Sequence, residues 1–200
     1  MKINRIALYA VDLPMKEGSY SWSNQSFSAF ESTIVEVSTD EGLTGYGEIC
    51  PLGPAYLPAY AEGARTGIMK LAPALMGQDP RQVGAINALM DMSLKGHPYV
   101  KSAIDIACWD LLGKATGQPV YTLLGGKMQD SVRLFKVVSR AEPETMRDKL
   151  IAYQEQGFKQ FQMKVGADAD VDIERIKLVA GALTPGYKLA ADANCGWMQH

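Results

Sequence analysis

The feature that most constrains this chain is a change of rhythm after Gly125-Gly126. From there on, short apolar runs alternate with helical stretches. VRLFKVV at 132–138, KQFQMKV at 159–165 and KLAADAN at 188–194 read as strands. A helix opened by Pro143 and running to Gln156 separates the first two, and DVDIERIKLVAGAL at 170–183 separates the last two. Strand–helix–strand alternation predicts parallel pairing through right-handed crossovers. Lys136, Lys164 and Asp192 follow one another at intervals of 28 residues. A (β/α)₈ barrel of about 250 residues uses about 31 per unit. A doubly wound sheet allows the same period, so spacing alone leaves both open.

The strand faces discriminate between them. A parallel strand covered on both sides is apolar throughout. In KQFQMKV, Phe161, Met163 and Val165 share one face, while Gln160, Gln162 and Lys164 share the other. In KLAADAN, Leu189, Ala191 and Ala193 oppose Lys188, Ala190, Asp192 and Asn194. Two successive strands therefore end with charge on one face. In a barrel that face points inward at the carboxyl mouth, where active sites are built. The first strand fits less well, because Lys136 and Ser139 have opposite parity.

The part before Gly125 reads differently. Residues 2–12 alternate as a strand that Pro14 ends. STIVEVST at 32–39 and LTGYGE form a hairpin about the turn Asp40-Glu41-Gly42. Residues 15–30 lack a period and read as a long mobile loop of the kind that serves as a lid. CPLGPAYLP, with its three prolines, reads as a second surface loop. Helices are predicted at 59–75, ending near Pro73 or Gly77, and from Asp79-Pro80, with Asp79 as N-cap. A third is predicted at 99–116, with Val100, Ala103, Ile104, Ala107 and Leu111 on one apolar face. The expected architecture is thus an α+β capping domain, residues 1–125, then a TIM-type (β/α) barrel from 126 to 200. Of that barrel only the first three strands are present. The 200 residues are too few for a whole one, and the active site is expected to be half written here.

Composition narrows the function. Lys+Arg number 20 and Asp+Glu 22, so no basic excess points to nucleic acid or an anionic membrane surface. No apolar run approaches the roughly 20 residues of a membrane span. Cys50, Cys108 and Cys195 are widely spaced, against a disulfide framework or zinc site. Only His97 and His200 are available for imidazole chemistry. A soluble cytoplasmic protein is expected.

Lys164 and Asp192 are the candidates for chemistry. A strand-end lysine is more often simply solvated. Here, however, apolar flanks and Gly166 place it at a strand end entering a tight turn. A lysine beside a divalent cation loses its proton more readily and then serves as a general base at neutral pH. An aspartate after an apolar strand often caps a turn, yet Asp192 shares the face of Lys164. Mg²⁺ takes several oxygen ligands, so Asp192 would need partners from outside this chain. Asn194 suits a substrate contact or an Asx turn equally. Tyr20, Trp22 and Tyr56 lie in the two loops; each is more often packing than recognition, but together they would form an aromatic cover over a small ligand. Tyr56 is the candidate substrate contact among them.

These stretches carry a resemblance. SAIDIACWDLLGKATGQPVYTLLGG (102–126), EGLTGYGE (41–48), FQMKVG and AADANCGW resemble the mandelate racemase and muconate lactonizing branch of the enolase superfamily, over essentially the whole chain. The resemblance implies an enzyme in which Mg²⁺ holds a small carboxylate substrate while a lysine removes the α-proton to give an enediolate. By position, Lys164 is the base, Asp192 a metal ligand and Asn194 its neighbour in an Asp-x-Asn pattern. Gln162 stands where the family's first lysine stands, as a substrate-binding residue. That departure argues against a plain cycloisomerase or dipeptide epimerase. Gln-x-Lys, GPAY and GHPYVKSAIDIA are similar to enzymes of proline derivatives. Dehydration of cis-3-hydroxy-L-proline is the expected reaction, and 2-epimerisation of 4-hydroxyproline betaine the alternative. A dipeptide epimerase or cycloisomerase, a sugar-acid dehydratase and a non-catalytic assembly fragment are further alternatives, and a homo-oligomer is expected.

Overall fold

The computed structural model describes residues 1–198, so His200 lies outside the described residues. The chain forms two compact units. Met1–Leu13 and Phe30–Met128 make the first; Pro14–Ala29 and the residues from Gln129 on make the second.

In the first unit β1 (Ile3–Pro14) lies beside β4 (Ala29–Thr39), which lies beside β5 (Thr44–Ile49). The last two pair antiparallel, Val35 opposite Gly47 and Val37 opposite Gly45. Three helices follow: α1 (Ala61–Leu75), α2 (Val83–Ser93) and α3 (Pro98–Thr116). The predicted face of α3 is buried in full, together with Cys108. Its small residues meet the glycines of β5. A Cβ on Gly47 would stand 1.9 Å from the Ala103 carbonyl oxygen, and one on Gly45 2.3 Å from that of Ala107. TGYGE and SAIDIA are therefore two halves of one contact, in which absent side chains let backbone approach backbone. Val35, Val37, Ile68, Leu71, Ile86, Met90 and Leu111 fill the core around it.

Helix α1 ends at Leu75, between Pro73 and Gly77 as expected. One expectation fails here: Asp79 does not cap α2, and Gln82 occupies the N-cap position. Arg81 claims the Asp79 carboxylate through its backbone N–H and its guanidinium, at 2.7–3.3 Å. This pair closes a turn ahead of the helix. It holds the Asp79 carboxyl down at about 2. A short helix α4 (Val120–Leu123) falls inside a stretch without helical period.

The second unit contains β6 (Lys136–Val138), α5 (Pro143–Glu155), β7 (Gln160–Lys164), α6 (Ala169–Gly181) and β8 (Lys188–Asp192). The strands form a parallel sheet in the order β6-β7-β8. Met146, Leu150, Tyr153 and Val179 from the helices pack with Val138, Phe161, Met163 and Val165. The capping α+β unit is followed by the first three strands of a (β/α) barrel, as the strand faces predict. Of VRLFKVV only the last three residues pair; Val132, Leu134 and Phe135 are exposed.

Residues 15–30 are not a featureless loop. They hold a hairpin, β2 (Tyr20–Trp22) and β3 (Gln25–Phe27), with Tyr20 opposite Phe27. Trp22 is 3% exposed, stacked on Phe27 at 4.8 Å and 4.9 Å from Tyr20. The expected aromatic cover is spent on the hairpin's own packing. Among the described residues no helix is long and apolar enough to cross a membrane. All three cysteines are free.

Candidate active site at the ends of two parallel strands

The β7–β8 register puts Lys164 directly opposite Asp192. The first step of the 28-residue rhythm does not repeat this, because Lys136 pairs with Phe161, on the other parity. Lys136 instead donates to Glu17 at 2.9 Å and lies over the Tyr153 ring.

Lys164 is 5% exposed, a depth at which lysine needs partners. Its Nζ donates to Asp192 Oδ2 at 2.6 Å and to Asn194 Oδ1 at 2.9 Å. The Asn194 backbone N–H in turn donates to Asp192 Oδ1 at 2.9 Å, an Asx turn. Asn194 thus takes part in the turn, one of the two readings the sequence left open, and also holds the lysine. Its φ of 45° is a left-handed conformation that asparagine tolerates better than most residues. The Lys164 ammonium, followed by the Asn194 N–H, holds the Asp192 carboxyl below its ordinary range, against the opposing effect of burial. Gln162 lies two residues before Lys164 on the same strand face, half-buried, opposite Ala190. Tyr56 is exposed in the 50–60 loop of the first unit; its assignment as a substrate contact rests on sequence alone.

A buried carboxylate that the sequence reading passed over organises the surrounding loops. Asp172, on α6, is 1% exposed. Its Oδ2 accepts from the N–H groups of Gly166 and Ala167 at 2.8 and 2.9 Å and from the Trp197 indole at 2.9 Å. Its Oδ1 accepts from Arg175 at 2.8 Å, and Arg175 also donates to the Ala141 carbonyl. One side chain thereby ties the segments that follow β6, β7 and β8. Burial pushes the Asp172 carboxyl up, but the hydrogen bonds from Trp197, Arg175, Gly166 and Ala167 outweigh it, and the net position is below the usual range. Its only trace in the sequence is an acid on the inward side of an amphipathic helix.

Asp192 fits a hard divalent cation as one oxygen ligand: its side chain is a carboxylate, 29% exposed. The described residues offer no group of three His, Cys, Asp or Glu side chains that would complete such a site.

Parallel β/α units with charged groups at their strand ends, following an α+β unit in the chain, define the class of capping domain plus (β/α) barrel. Residues 6–125 match the mandelate racemase / muconate lactonizing enzyme N-terminal domain, and residues 145–200 match the enolase C-terminal domain-like family. The chain belongs to the mandelate racemase / muconate lactonizing enzyme family of the enolase superfamily. It is 56% identical to a cis-3-hydroxy-L-proline dehydratase of Roseibium aggregatum, a match that covers 100% of this chain and 55% of the relative. It is 37% identical to an N-succinyl-L-Arg/Lys racemase of Bacillus cereus, over 98% of this chain and 53% of that one. A crystal structure of an enolase-superfamily member from Roseovarius nubinhibens ISM, complexed with magnesium, superposes with a TM-score of 0.87 at 40% identity. That match covers 98% of this chain and 53% of the other. The chain spans about half the length of the relatives it matches.

Proposed function

We propose that this chain carries the base-bearing part of an enzyme that removes the proton α to a carboxylate, with dehydration of cis-3-hydroxy-L-proline as the reaction. The observation that carries the reading is the Lys164–Asp192 pair, 2.6 Å apart at the carboxyl ends of adjacent parallel strands, where β/α units place their chemistry. The dehydratase at 56% identity supports the substrate.

In this reading the Lys164 Nζ takes the C2 proton of the substrate. The C2–H electron pair passes into the substrate carboxylate as an enediolate and then forms the C2–C3 double bond, while the C3 hydroxyl departs with its bonding pair and takes the proton that Lys164 has acquired, leaving as water. Asn194 fixes the direction of Nζ through its Oδ1. Gln162, on the same strand face, supplies an amide to the substrate's polar groups. Asp192 would hold Mg²⁺, which when bound supplies positive charge beside the substrate carboxylate. A substrate without a C3 hydroxyl has nothing to expel, and return of the proton to the other face gives epimerisation. This second reading, as for a 4-hydroxyproline betaine 2-epimerase, draws on the racemase at 37% identity. The widely spaced, free cysteines support a cytoplasmic location. A homo-oligomer is carried by the family resemblance alone.

The test is α-proton exchange of cis-3-hydroxy-L-proline in D₂O with Mg²⁺ and the full-length protein, followed by NMR. Lys164→Ala is expected to slow exchange and dehydration by roughly 10²–10⁴-fold, the usual contribution of a positioned base. Exchange that survives this change would remove Lys164 from the role.

A further inference from the structure

We propose that Ser23 is a positioning residue for the Lys164–Asp192 pair, and that the tip of the β2–β3 hairpin stitches together the two strand ends that carry them. The catalytic meaning of this stitch rests on the function proposed above.

Hairpin tips normally face water. Ser23, at this tip, is 7% exposed and holds a φ of 42°, which serine rarely adopts. Its backbone N–H donates to the carbonyl of Val165 at 3.3 Å, and its Oγ donates to the carbonyl of Ala193 at 2.5 Å. Val165 is the residue after Lys164, and Ala193 is the residue after Asp192. One serine therefore holds both chains at the step beyond the pair. There the sheet itself offers a single remaining rung, from the Val165 N–H to the Asp192 carbonyl at 3.0 Å.

The surroundings are shaped to admit this hydroxyl. A Cβ on Gly166 would stand 2.7 Å from Ser23 Oγ and 2.2 Å from the Ala193 carbonyl oxygen. One on Gly196 would stand 2.6 Å from Ser23 Oγ and 2.1 Å from the Gly166 carbonyl oxygen. Two glycines, one in each loop, leave room for a single buried donor. The hairpin is pinned at two further points, by the Arg140 N–H to the Ser21 carbonyl at 2.9 Å and by Glu17 to Lys136 and Tyr153.

The Ser23 hydroxyl proton is consumed by Ala193, and Ser23 bonds neither to the Lys164 amine nor to the Asp192 carboxylate. Its effect on chemistry is therefore exerted through the placement of Lys164 and Asp192. A hairpin that acted only as a cover over the ligand would change KM. A stitch that holds the base in place changes kcat, because proton transfer depends on the position of Nζ.

Ser23→Gly and Ser23→Ala test this in the full-length protein. Glycine adopts the left-handed backbone freely and removes the CH₂OH group; alanine removes only the hydroxyl and keeps the backbone strain. Amide hydrogen exchange of the substrate-free protein, read by mass spectrometry, is expected to rise roughly fivefold at 163–167 and 192–197 in both variants. That is what the loss of one ordinary hydrogen bond produces. Exchange in α5 and in α1–α3 stays at the wild-type rate. With cis-3-hydroxy-L-proline, kcat falls roughly tenfold while KM stays within about twofold. Unchanged amide exchange in Ser23→Gly overturns the stitch, whatever the activity. A raised KM at unchanged kcat overturns the positioning role. Faster amide exchange in both segments, with wild-type protein that leaves the substrate α-proton untouched, keeps the stitch and overturns the proposed function.

Discussion

In the first unit, β5 and α3 meet through side chains that are missing: Gly45 and Gly47 receive the backbone of Ala103 and Ala107. In the second unit, the loops after the three parallel strands meet through side chains that are charged: Asp172 gathers four donors, and Lys164 reaches across to Asp192 and Asn194. The two solutions fail differently. Close apolar packing responds to added volume, whereas a buried polar junction responds to the loss of any one partner. Packing by absent side chains leaves nothing that can react. A polar junction at strand ends leaves groups able to hold a proton or a cation, which is why the proposed chemistry is assigned to the second unit.

The largest effect is expected at Asp172. Replacement by Ala leaves the Arg175 guanidinium buried and two backbone N–H groups without their acceptor. Removing one partner of a buried pair costs about 3–5 kcal/mol, and urea denaturation measures it. Asp172→Asn, similar in shape but uncharged, should recover only part of that loss. If Asp172→Ala cost no more than an exposed substitution, the polar junction would not be what holds these loops.

Gly47→Ala is the matching experiment in the first unit. The new methyl meets a backbone oxygen, and no flexible side chain can move aside. Overpacking of this kind costs about 1–3 kcal/mol. The loss should appear as faster amide exchange in α3 and β5, while α5 and α6 keep their protection. A neutral result would mean that α3 can slide on the sheet.

Acid separates the units further. The Asp172 carboxyl sits below its ordinary range when folded, so its contribution is fully present above the unfolded value of about 4. It is lost as pH falls through the folded value. Trp197 donates directly to this carboxylate, and Trp22 and Trp197 both lie in the second unit, so in a Trp109→Phe background the fluorescence follows that unit. Urea midpoints read in this way should drop between pH 5 and pH 3 by more than those of helix α3. In the first unit Asp79, likewise depressed, lies in a solvent-facing turn where such pairs contribute little.

What could be read from the sequence follows the same division. The α3 face and the strand–helix alternation repeat over many residues, so periodicity exposes them. The shared face of Lys164 and Asp192 was legible because both strands alternate strictly, and it became a register pair. Lys136 misled, because β6 is three residues long and its pairing is offset from the spacing. The β2–β3 hairpin was invisible for a related reason: two three-residue strands carry too little alternation to rise above a loop. Ser23 was missed because its partners are backbone carbonyls distant in sequence. Asp172 was missed because backbone N–H groups and side chains at unrelated separations converge on it, and no spacing rule encodes that.

The smallest expected effect is at Glu17. It accepts from Lys136 at 2.9 Å and from the Tyr153 hydroxyl, and those two donors hold its carboxyl below the usual range against burial. The Glu17 side chain is nonetheless 44% exposed, and an exposed ion pair contributes at most about 1 kcal/mol. Glu17→Gln keeps its amide oxygen as an acceptor for Lys136 and turns its NH₂ toward the Tyr153 hydroxyl, whose oxygen can accept from it, so the urea midpoint should barely move. Amide exchange at 163–167 and 192–197 should stay at the wild-type rate, in contrast to Ser23→Gly. If Glu17→Gln instead loosened those segments as much as Ser23→Gly does, the hairpin would be held at its entry rather than its tip. The ordering of the strand ends would then come from the segment as a whole, not from one buried hydroxyl.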